Sequence, residues 1–435
     1  MSNSNIGSNL GRQMSPYQEV IDYIFSLTVS GVKLELSRVE AFMAELGNPF
    51  EAFPSIHVAG TNGKGSTSAM LASVLEATGL KVGLFTSPHL LRPNERIKIN
   101  GEEIPDESII DLVTQWKSQI ATHGITFFEV LTALAFCYFR EHSVDIAVIE
   151  TGLGGRLDAT NVINPILSVI TSVDMDHMNI LGDTLDLIAR EKAGIIKPGV
   201  PVVLAENLQI VHEVIRDRAN LMGSDFIYTP DECEVTQQEI RFPRQLLTCR
   251  SGQNEYVIDS PLLGNHQSQN VVLVLTALRY LPFEVSAPAI LAGLGMVNWP
   301  GRMQVVQMEP PVVYDVAHNP AGVRQLLQSL QYAGFGEAVL LVGLNQRKDT
   351  AGIIECMRDW PGEIGLFSFA GDSSIPVKIL LELQQSNRHI TAVFENYNDG
   401  IVWAEMIRDH GDRPAICIFG SHYLAEDIFS YYQVD

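Results

Sequence analysis

The amino-acid sequence predicts an α/β protein of two tandem units: a larger one built on a parallel sheet with a small antiparallel annex, and a smaller doubly wound one of Rossmann-like form. Three observations carry that prediction. Short β-branched runs alternate with helical patterns from Ser55 to about Ala205, short alternating pieces replace them between Phe226 and Leu263, and strand–helix alternation resumes after a Trp299-Pro300-Gly301 turn. A chain of 435 residues also exceeds what one hydrophobic core usually supports.

Taken in order, Met1 to Ser15 is rich in Ser, Asn and Gly, lacks the apolar stretch of a secretory signal, and reads as a loose tail (1–15). The larger unit, 16–299, has strand candidates at Ile56 to Ala59, Val82 to Thr86, Ile146 to Glu150, Ile166 to Ser172 and Pro201 to Ala205. Each is too apolar for a half-exposed strand. Phe226 to Leu263, broken by Ser251-Gly252-Gln253-Asn254, reads as a hairpin-rich annex. A helix is predicted from Asn265 to Leu281, because Val271, Leu275 and Leu278 recur at helical spacing and Pro282 lies just beyond. Pro300-Gly301 then marks a boundary, since proline fixes the chain and glycine permits unusual dihedrals. The second unit, 300–435, has strand candidates at Val312 to Asp315, Val339 to Gly343, Leu366 to Phe369, Ala392 to Phe394 and Ile416 to Gly420.

Apolar residues make up 46% of the chain and charged residues 18%, the balance of an ordinary globular enzyme. No stretch approaches the apolar length of a membrane span, so no membrane partner is expected. The five cysteines are scattered without a Cys-x-x-Cys pair, which suggests neither a disulfide framework nor a zinc site and fits a reducing cytoplasm. A formal net charge of -22 argues against a nucleic-acid partner. Small anions held by a local cluster of Lys, Arg and helix N-termini remain compatible with it.

The residues that carry chemistry begin at His57-Val58-Ala59-Gly60-Thr61-Asn62-Gly63-Lys64-Gly65-Ser66-Thr67, a Gly-rich turn between a buried strand and a helix. Backbone N–H groups freed by the glycines can close around phosphates, Lys64 can reach the outer phosphates, and the Ser66 hydroxyl can ligand magnesium. It is a P-loop by mechanism, although Gly60 lies too close to Gly63 and Gly65 is inserted after Lys64 for the usual G-x-x-x-x-G-K-[ST] pattern. Glu150 ends one predicted strand, and Asp174, Asp176 and His177 follow another. In an open parallel sheet such ends face one crevice, where oxygen and imidazole ligands suit magnesium on phosphates. The alternative for a single Glu or His at a strand end is a hydrogen-bonded loop residue. Gly152-Leu153-Gly154-Gly155-Arg156-Leu157-Asp158-Ala159 follows at once, as a second backbone-lined loop or a tight strand-to-helix turn.

As a set, Val58 to Thr67, Thr86-Ser87-Pro88-His89-Leu90 with Glu95-Arg96, Glu150 through Asn161, Asp176-His177, Arg190-Glu191-Lys192-Ala193-Gly194, Pro300-Gly301-Arg302 and Asp315-Val316-Ala317-His318-Asn319-Pro320 resemble the folylpolyglutamate synthase/dihydrofolate synthase family of the Mur ligase superfamily. The motifs run in the family order from about Lys33 to His422. The resemblance explains the unusual P-loop, because T-N-G-K-G-[ST] is the version this superfamily uses.

The resemblance implies a P-loop ATPase domain followed by a glutamate-ligase domain, and an ATP- and magnesium-dependent ligation of L-glutamate to a folate or dihydropteroate through an acyl phosphate. Thr61, Asn62, Gly63 and Lys64, with Gly65 and Ser66, would hold the ATP phosphates, and Asn270, Arg302 and Asp315 would also contact ATP. Ser66, Ser87, Glu150 and His177 would ligand magnesium, with Lys64, Glu150, His177 and Lys192 at the chemistry. Thr126-Phe127-Phe128-Glu129 and Leu157-Asp158-Ala159 match segments that line the pterin-carboxylate site, while Glu129 could equally sit on a buried helix face. Lys192 matches a lysine that the family carbamylates to hold a second magnesium; outside such a motif it would be a surface lysine near a helix end. His318 and Ser421, the latter from its predicted strand end, are expected beside the acceptor glutamate. A monomer is expected. Ser26-Leu27-Thr28 matches a substrate segment by distance alone, and Phe226 to Leu263 and Phe335 to Arg413 carry no motif. The alternatives are a cell-wall Mur ligase, for whose extra N-terminal domain a P-loop near residue 60 leaves no room, and a P-loop regulator, against which Arg302 and Asp315 in a second domain speak.

Overall fold

The computed structural model describes residues 15–27, 35–371, 373–411 and 414–434. Nearly all of the expected tail, and Thr28 of the Ser26-Leu27-Thr28 segment, lie outside the described residues. In chain order the strands are β1 (Ser55–Ala59), β2 (Val82–Phe85), β3 (Ile97–Ile99), β4 (Glu102–Glu103), β5 (Ile146–Glu150), β6 (Leu167–Ile170), β7 (Val202–Leu204), β8 (Phe226–Tyr228), β9 (Cys233–Arg241), β10 (Arg244–Ser251), β11 (Asn254–Ser260), β12 (Gln304–Gln307), β13 (Val312–Asp315), β14 (Val339–Gly343), β15 (Ile364–Phe367), β16 (Ala392–Phe394) and β17 (Ile416–Phe419). Among the described residues they form three sheets, ordered β4-β3-β2-β5-β1-β6-β7-β8, β11-β10-β9 and β12-β13-β17-β14-β15-β16.

In the first sheet β2, β5, β1, β6, β7 and β8 run parallel, and only β3 and β4 run antiparallel at one edge. The central strands β1 and β5 are buried along their whole length, as continuous apolar runs covered on both faces must be. One covering layer centres on the helix Lys64–Ala77, where Met70, Leu71, Val74 and Leu75 are fully buried against β1, β5 and the helix Asn265–Arg279. Each such side chain contributes on the order of 1.5–3 kcal/mol. The opposite face is covered by the helices Asp106–His123 and Phe127–Glu141.

Two expectations need correcting. Phe226 to Tyr228 does not belong to the annex: it pairs in parallel with β7 and extends the main sheet, and the antiparallel annex begins at Cys233. The helix expected to reach Leu281 ends at Arg279, with Tyr280 as its cap.

The C-terminal sheet is parallel from β13 to β16, with β12 antiparallel at its edge, and separate apolar clusters cover its two faces. In both sheets the first strand of the parallel set does not neighbour the next one in sequence: β5 lies between β1 and β2, and β17 between β13 and β14. The chain therefore leaves each sheet in opposite directions around those strands, opening a crevice at their carboxyl ends.

Candidate active site

β1 ends at Ala59, and Gly63 takes a left-handed backbone (φ 87°) that glycine adopts without strain, turning the chain into the helix that starts at Lys64. The loop is tied to the segment after β6: Thr61 N–H donates to the Ser172 carbonyl (2.7 Å) and the Thr171 hydroxyl to the Asn62 carbonyl (2.7 Å). The helix Asn265–Arg279 supports it from behind. A β carbon at Gly63 would lie 2.6 Å from Asn270 Oδ1, while Asn270 Nδ2 donates to Gln267 (3.0 Å) and Gln267 Nε2 to the buried Ser66 hydroxyl (3.3 Å). Gly65 lies against Trp299, whose Cζ2 would be 2.5 Å from a β carbon there. Lys64 donates to the Thr61 carbonyl (3.3 Å) and sits 3.9 Å from Glu150.

Glu150 ends β5 at 2% exposure, with Oε2 accepting the Ser87 N–H (3.1 Å). Burial pushes its carboxyl up to about 7 against the opposing pull of Lys64, the Ser87 N–H, Arg302 and Arg96. Lys192, at 3% exposure and therefore no surface lysine, donates to the Gly60 carbonyl (2.7 Å). Burial first, and then the Lys64 charge, bring its amine down to about 7. His177 adopts a left-handed backbone (φ 51°), a conformation non-glycine residues hold where the surroundings enforce it. Burial lowers its pKa against the opposing pull of Asp176, and Lys348, Lys64 and Lys192 lower it further.

Beside His177, Asp176 is the point where the two sheets' loops meet. Lys348 Nζ donates to both its oxygens (3.0 and 3.2 Å), Asn319 Nδ2 donates to Oδ2 (3.2 Å) and to Asn62 Oδ1 (3.2 Å), and His318 Nε2 lies 3.9 Å away. Burial favours the neutral acid, but Lys348, His177 and His318 overcome it and hold the carboxyl well below the usual range.

The crevice encloses a cavity of about 590 Å³ lined from the first unit by Ser87, Arg96, Thr126, Phe127, Phe128, Glu129, Leu157, Asp158, Ala159 and His177, and from the second by His318, Asn345, Arg347, Lys348, Ser421 and His422. Two of its carboxylates are already engaged. Glu129 closes a capping box by accepting the Thr126 N–H (2.7 Å) and pairs with Arg38 (2.7 Å). Asp158 accepts from Leu153 N–H (2.7 Å), Thr160 N–H (3.0 Å) and the Thr160 hydroxyl (2.5 Å), which folds the glycine-rich loop onto itself. Arg96 is buried under the Phe127 ring (5.3 Å to its centroid) and donates to His89 (2.8 Å).

On the far side, Asp315 accepts the Met303 and Ala317 N–H groups (2.8 Å each), with Arg302 opposing the burial that raises its carboxyl. His318 donates from Nδ1 to the Val316 carbonyl (2.9 Å), which fixes its tautomer, and burial brings its pKa down to about 3. The Ser421 hydroxyl accepts the Tyr423 N–H (3.2 Å). The structure thus brings Ser87, His177, His318, Ser421, Thr126 to Glu129 and Leu157 to Ala159 to one cavity, with Lys64, Glu150 and Lys192 grouped behind it. Ser66 and Asn270 face each other through Gln267 in the packing behind the loop. Sequence reading missed Asn345, Arg347 and Lys348, which follow β14, although the rule that ligands meet the carboxyl ends of parallel strands points to them.

Comparison with known proteins agrees with this geometry. The Mur ligase middle domain matches residues 58–278, and the Mur ligase glutamate ligase domain matches 301–422. A dihydrofolate synthase/folylpolyglutamate synthase of Bacillus subtilis is 38% identical over 427 residues, covering 95% of this chain and 98% of that one. A folylpolyglutamate synthase of Lacticaseibacillus casei is 33% identical over 424 residues, covering 95% and 97%. Among solved structures, Mycobacterium tuberculosis folylpolyglutamate synthase complexed with ADP and AMPPCP superposes with a TM-score of 0.90 at 30% identity, over 97% of this chain and 100% of that one. With both domain families in order and relatives matched nearly end to end, the chain belongs to the folylpolyglutamate synthase/dihydrofolate synthase family of the Mur ligases.

Proposed function

We infer that the chain is an ATP-dependent ligase that joins the amine of L-glutamate to the carboxylate of a folate, and of dihydropteroate in the same site. The observation that carries this reading is the convergence of two parallel sheets' carboxyl ends on one cavity, one bearing a P-loop with Lys64 and Glu150 and the other bearing His318, Lys348 and Ser421.

A substrate carboxylate oxygen attacks the γ-phosphorus of ATP, the bond to the bridging oxygen breaks, and ADP leaves. The glutamate amine then attacks the acyl carbon, phosphate departs, and the nitrogen gives up a proton. Phosphate is a far better leaving group than oxide, which is why ATP is needed. Lys64 and the amides at the start of the helix Lys64–Ala77 stabilise charge spreading over the transferring phosphoryl group. Phe127, whose ring already carries Arg96 and the stacked Phe25 ring (5.1 Å), and Phe128 present apolar edges to the cavity that suit a pterin or aminobenzoyl ring.

Among the described residues no three His, Cys, Asp or Glu cluster as a ready metal cage. The residues nevertheless fit magnesium, which keeps waters and phosphate oxygens: Glu150 is a carboxylate whose burial outweighs its compensating partners, and a divalent cation would offset the difference. Ser66, Ser87, Glu150 and His177 would hold the ion, which when bound neutralises phosphate charge. A carbamate on Lys192, formed when its neutral amine adds carbon dioxide and loses a proton, would supply further oxygens; an amine brought down to about 7 supports this. We place the protein in the cytoplasm as a monomer with a domain boundary at 299/300. The five cysteines are free thiols, and no described helix is long and apolar enough to cross a membrane.

The test offers purified protein tetrahydrofolate and dihydropteroate in parallel, each with ATP and glutamate. ADP release that requires both the folate-type acid and glutamate is expected; release that ignores glutamate would overturn the reading.

A further inference from the structure

We propose that Arg347 reads the side-chain carboxylate of the incoming amino acid and so sets the enzyme's preference for glutamate. The inference rests on the functional reading above and goes beyond it to name a specificity residue.

Arg347 lines the cavity on the loop after β14, next to Lys348. The chain carries 51 acidic against 29 basic residues, so an arginine without an acidic partner is unexpected. Yet among the described residues every other charged group around this cavity is engaged. Glu129 pairs with Arg38, and Asp158 is bound by its own loop. Lys348 is bound to Asp176, and Arg96 is buried on His89 and Phe127. The nearest acid in sequence, Asp349, caps the following helix through the Gly352 N–H (2.9 Å). His318 and His422 have pKa values brought by burial to about 3 and about 4, so neither offers positive charge at neutral pH. Arg347 has no carboxylate within ion-pair distance among the described residues and is exposed to the cavity's solvent side.

Its backbone is set in advance. Asn345 Oδ1 accepts the Arg347 N–H (2.9 Å), the Asn345 carbonyl accepts the Lys348 N–H (3.1 Å), and Asn345 bridges to Ser374. Such an Asx-type turn holds the loop without a ligand. The attacking amine must sit near the phosphate site, the side of the loop where Lys348 reaches Asp176 and His177. The amino acid's far end then points toward the exposed guanidinium, whose planar fork matches a carboxylate with two parallel N–H···O bonds.

The test compares wild type, Arg347→Gln and Arg347→Lys with glutamate and with glutamine, which keeps the amine and α-carboxylate but replaces the side-chain carboxylate by an amide. Arg347→Gln should raise KM for glutamate about ten- to a hundredfold, leave KM for ATP unchanged, and collapse the preference for glutamate over glutamine. Arg347→Lys, retaining charge but not the fork, should fall between. An equal loss with both amino acids, or an unchanged KM for glutamate, would overturn the proposal. So would an effect confined to folates bearing extra γ-glutamyl residues, because the arginine would then serve the acid substrate's tail. No glutamate-dependent ADP release from the wild type would sink the functional reading itself, whereas the other outcomes sink this inference alone.

Discussion

The two walls of the cavity are built on opposite plans. On the P-loop side three of the groups proposed for chemistry or metal binding are buried, Ser66 within its helix, Glu150 on the Ser87 N–H and Lys192 on the Gly60 carbonyl, while Lys64 is partly buried and His177 stands exposed at the cavity. On the C-terminal side Arg347 is exposed, and His318, Asn345, Lys348 and His422 are partly exposed beyond strand ends, with Ser421 the buried member of that lining. Groups that stabilise a transition state work best when they do not reorganise, while groups that capture an arriving ligand must be reachable. Substitutions on the first wall should therefore strike turnover, and those on the second should strike KM.

The largest break is expected at Lys64. Lys64→Ala should lower kcat by about 10³-fold with the thermal midpoint nearly unchanged; turnover near that of the wild type would remove the lysine from the proposed chemistry. Lys192→Arg follows, since arginine stays protonated and cannot carry a carbamate. It should lose most activity, and Lys192→Ala should regain part of it when acetate is supplied; a fully active arginine variant would make Lys192 a structural cation.

Asp176 tests whether the walls are independent. Asp176→Asn leaves Lys348 without its anion, and kcat/KM should fall about tenfold, with Lys348→Met adding little in the double mutant because the two act as one contact. Strictly additive losses would mean that the bridge does not couple the units. The smallest effect concerns pH. His57, buried against the Thr160 hydroxyl, is brought to about 3 by burial and by Lys197. A histidine whose folded pKa lies below its unfolded value near 6.5 contributes stability that is present above pH 6.5 and lost as pH falls toward 3, at about 1.4 kcal/mol per pH unit. Denaturant titrations at pH 7 and pH 5 should accordingly show about 2 kcal/mol less acid loss in His57→Gln than in the wild type; identical losses would mean that His57 does not carry the acid sensitivity.

The same contrast decided what could be read from sequence. The P-loop wall was legible because long apolar strands end in runs whose composition has a chemical reason, such as Gly60 to Ser66 after β1. Strands β3, β4 and β12 were not, because they lie at or next to sheet edges and their partly exposed residues form no continuous apolar run. Phe226 to Tyr228 was misassigned because three residues cannot show whether they pair parallel or antiparallel. Sequence also could not show that Glu129 and Asp158 spend their oxygens on a helix cap and a loop, since only the fold brings Arg38 across 91 positions to Glu129. Arg347 and Lys348 lie in a stretch without a motif, where specificity resides in which loop follows a strand rather than in a repeated pattern.

The packing of Trp299 on Gly65 gives the molecule an optical property. Of its four tryptophans, Trp116 and Trp360 lie in apolar cores and Trp403 packs on Phe394, whereas Trp299 touches the turn proposed to surround the nucleotide phosphates, at the seam before the second unit. Indole emission responds to the charge and polarity around the ring, so binding of a polyanion one residue's width away should change the protein's intrinsic fluorescence, and Trp299→Phe should silence that change. Loading of the P-loop can then be followed in real time, without a label, before any bond is made.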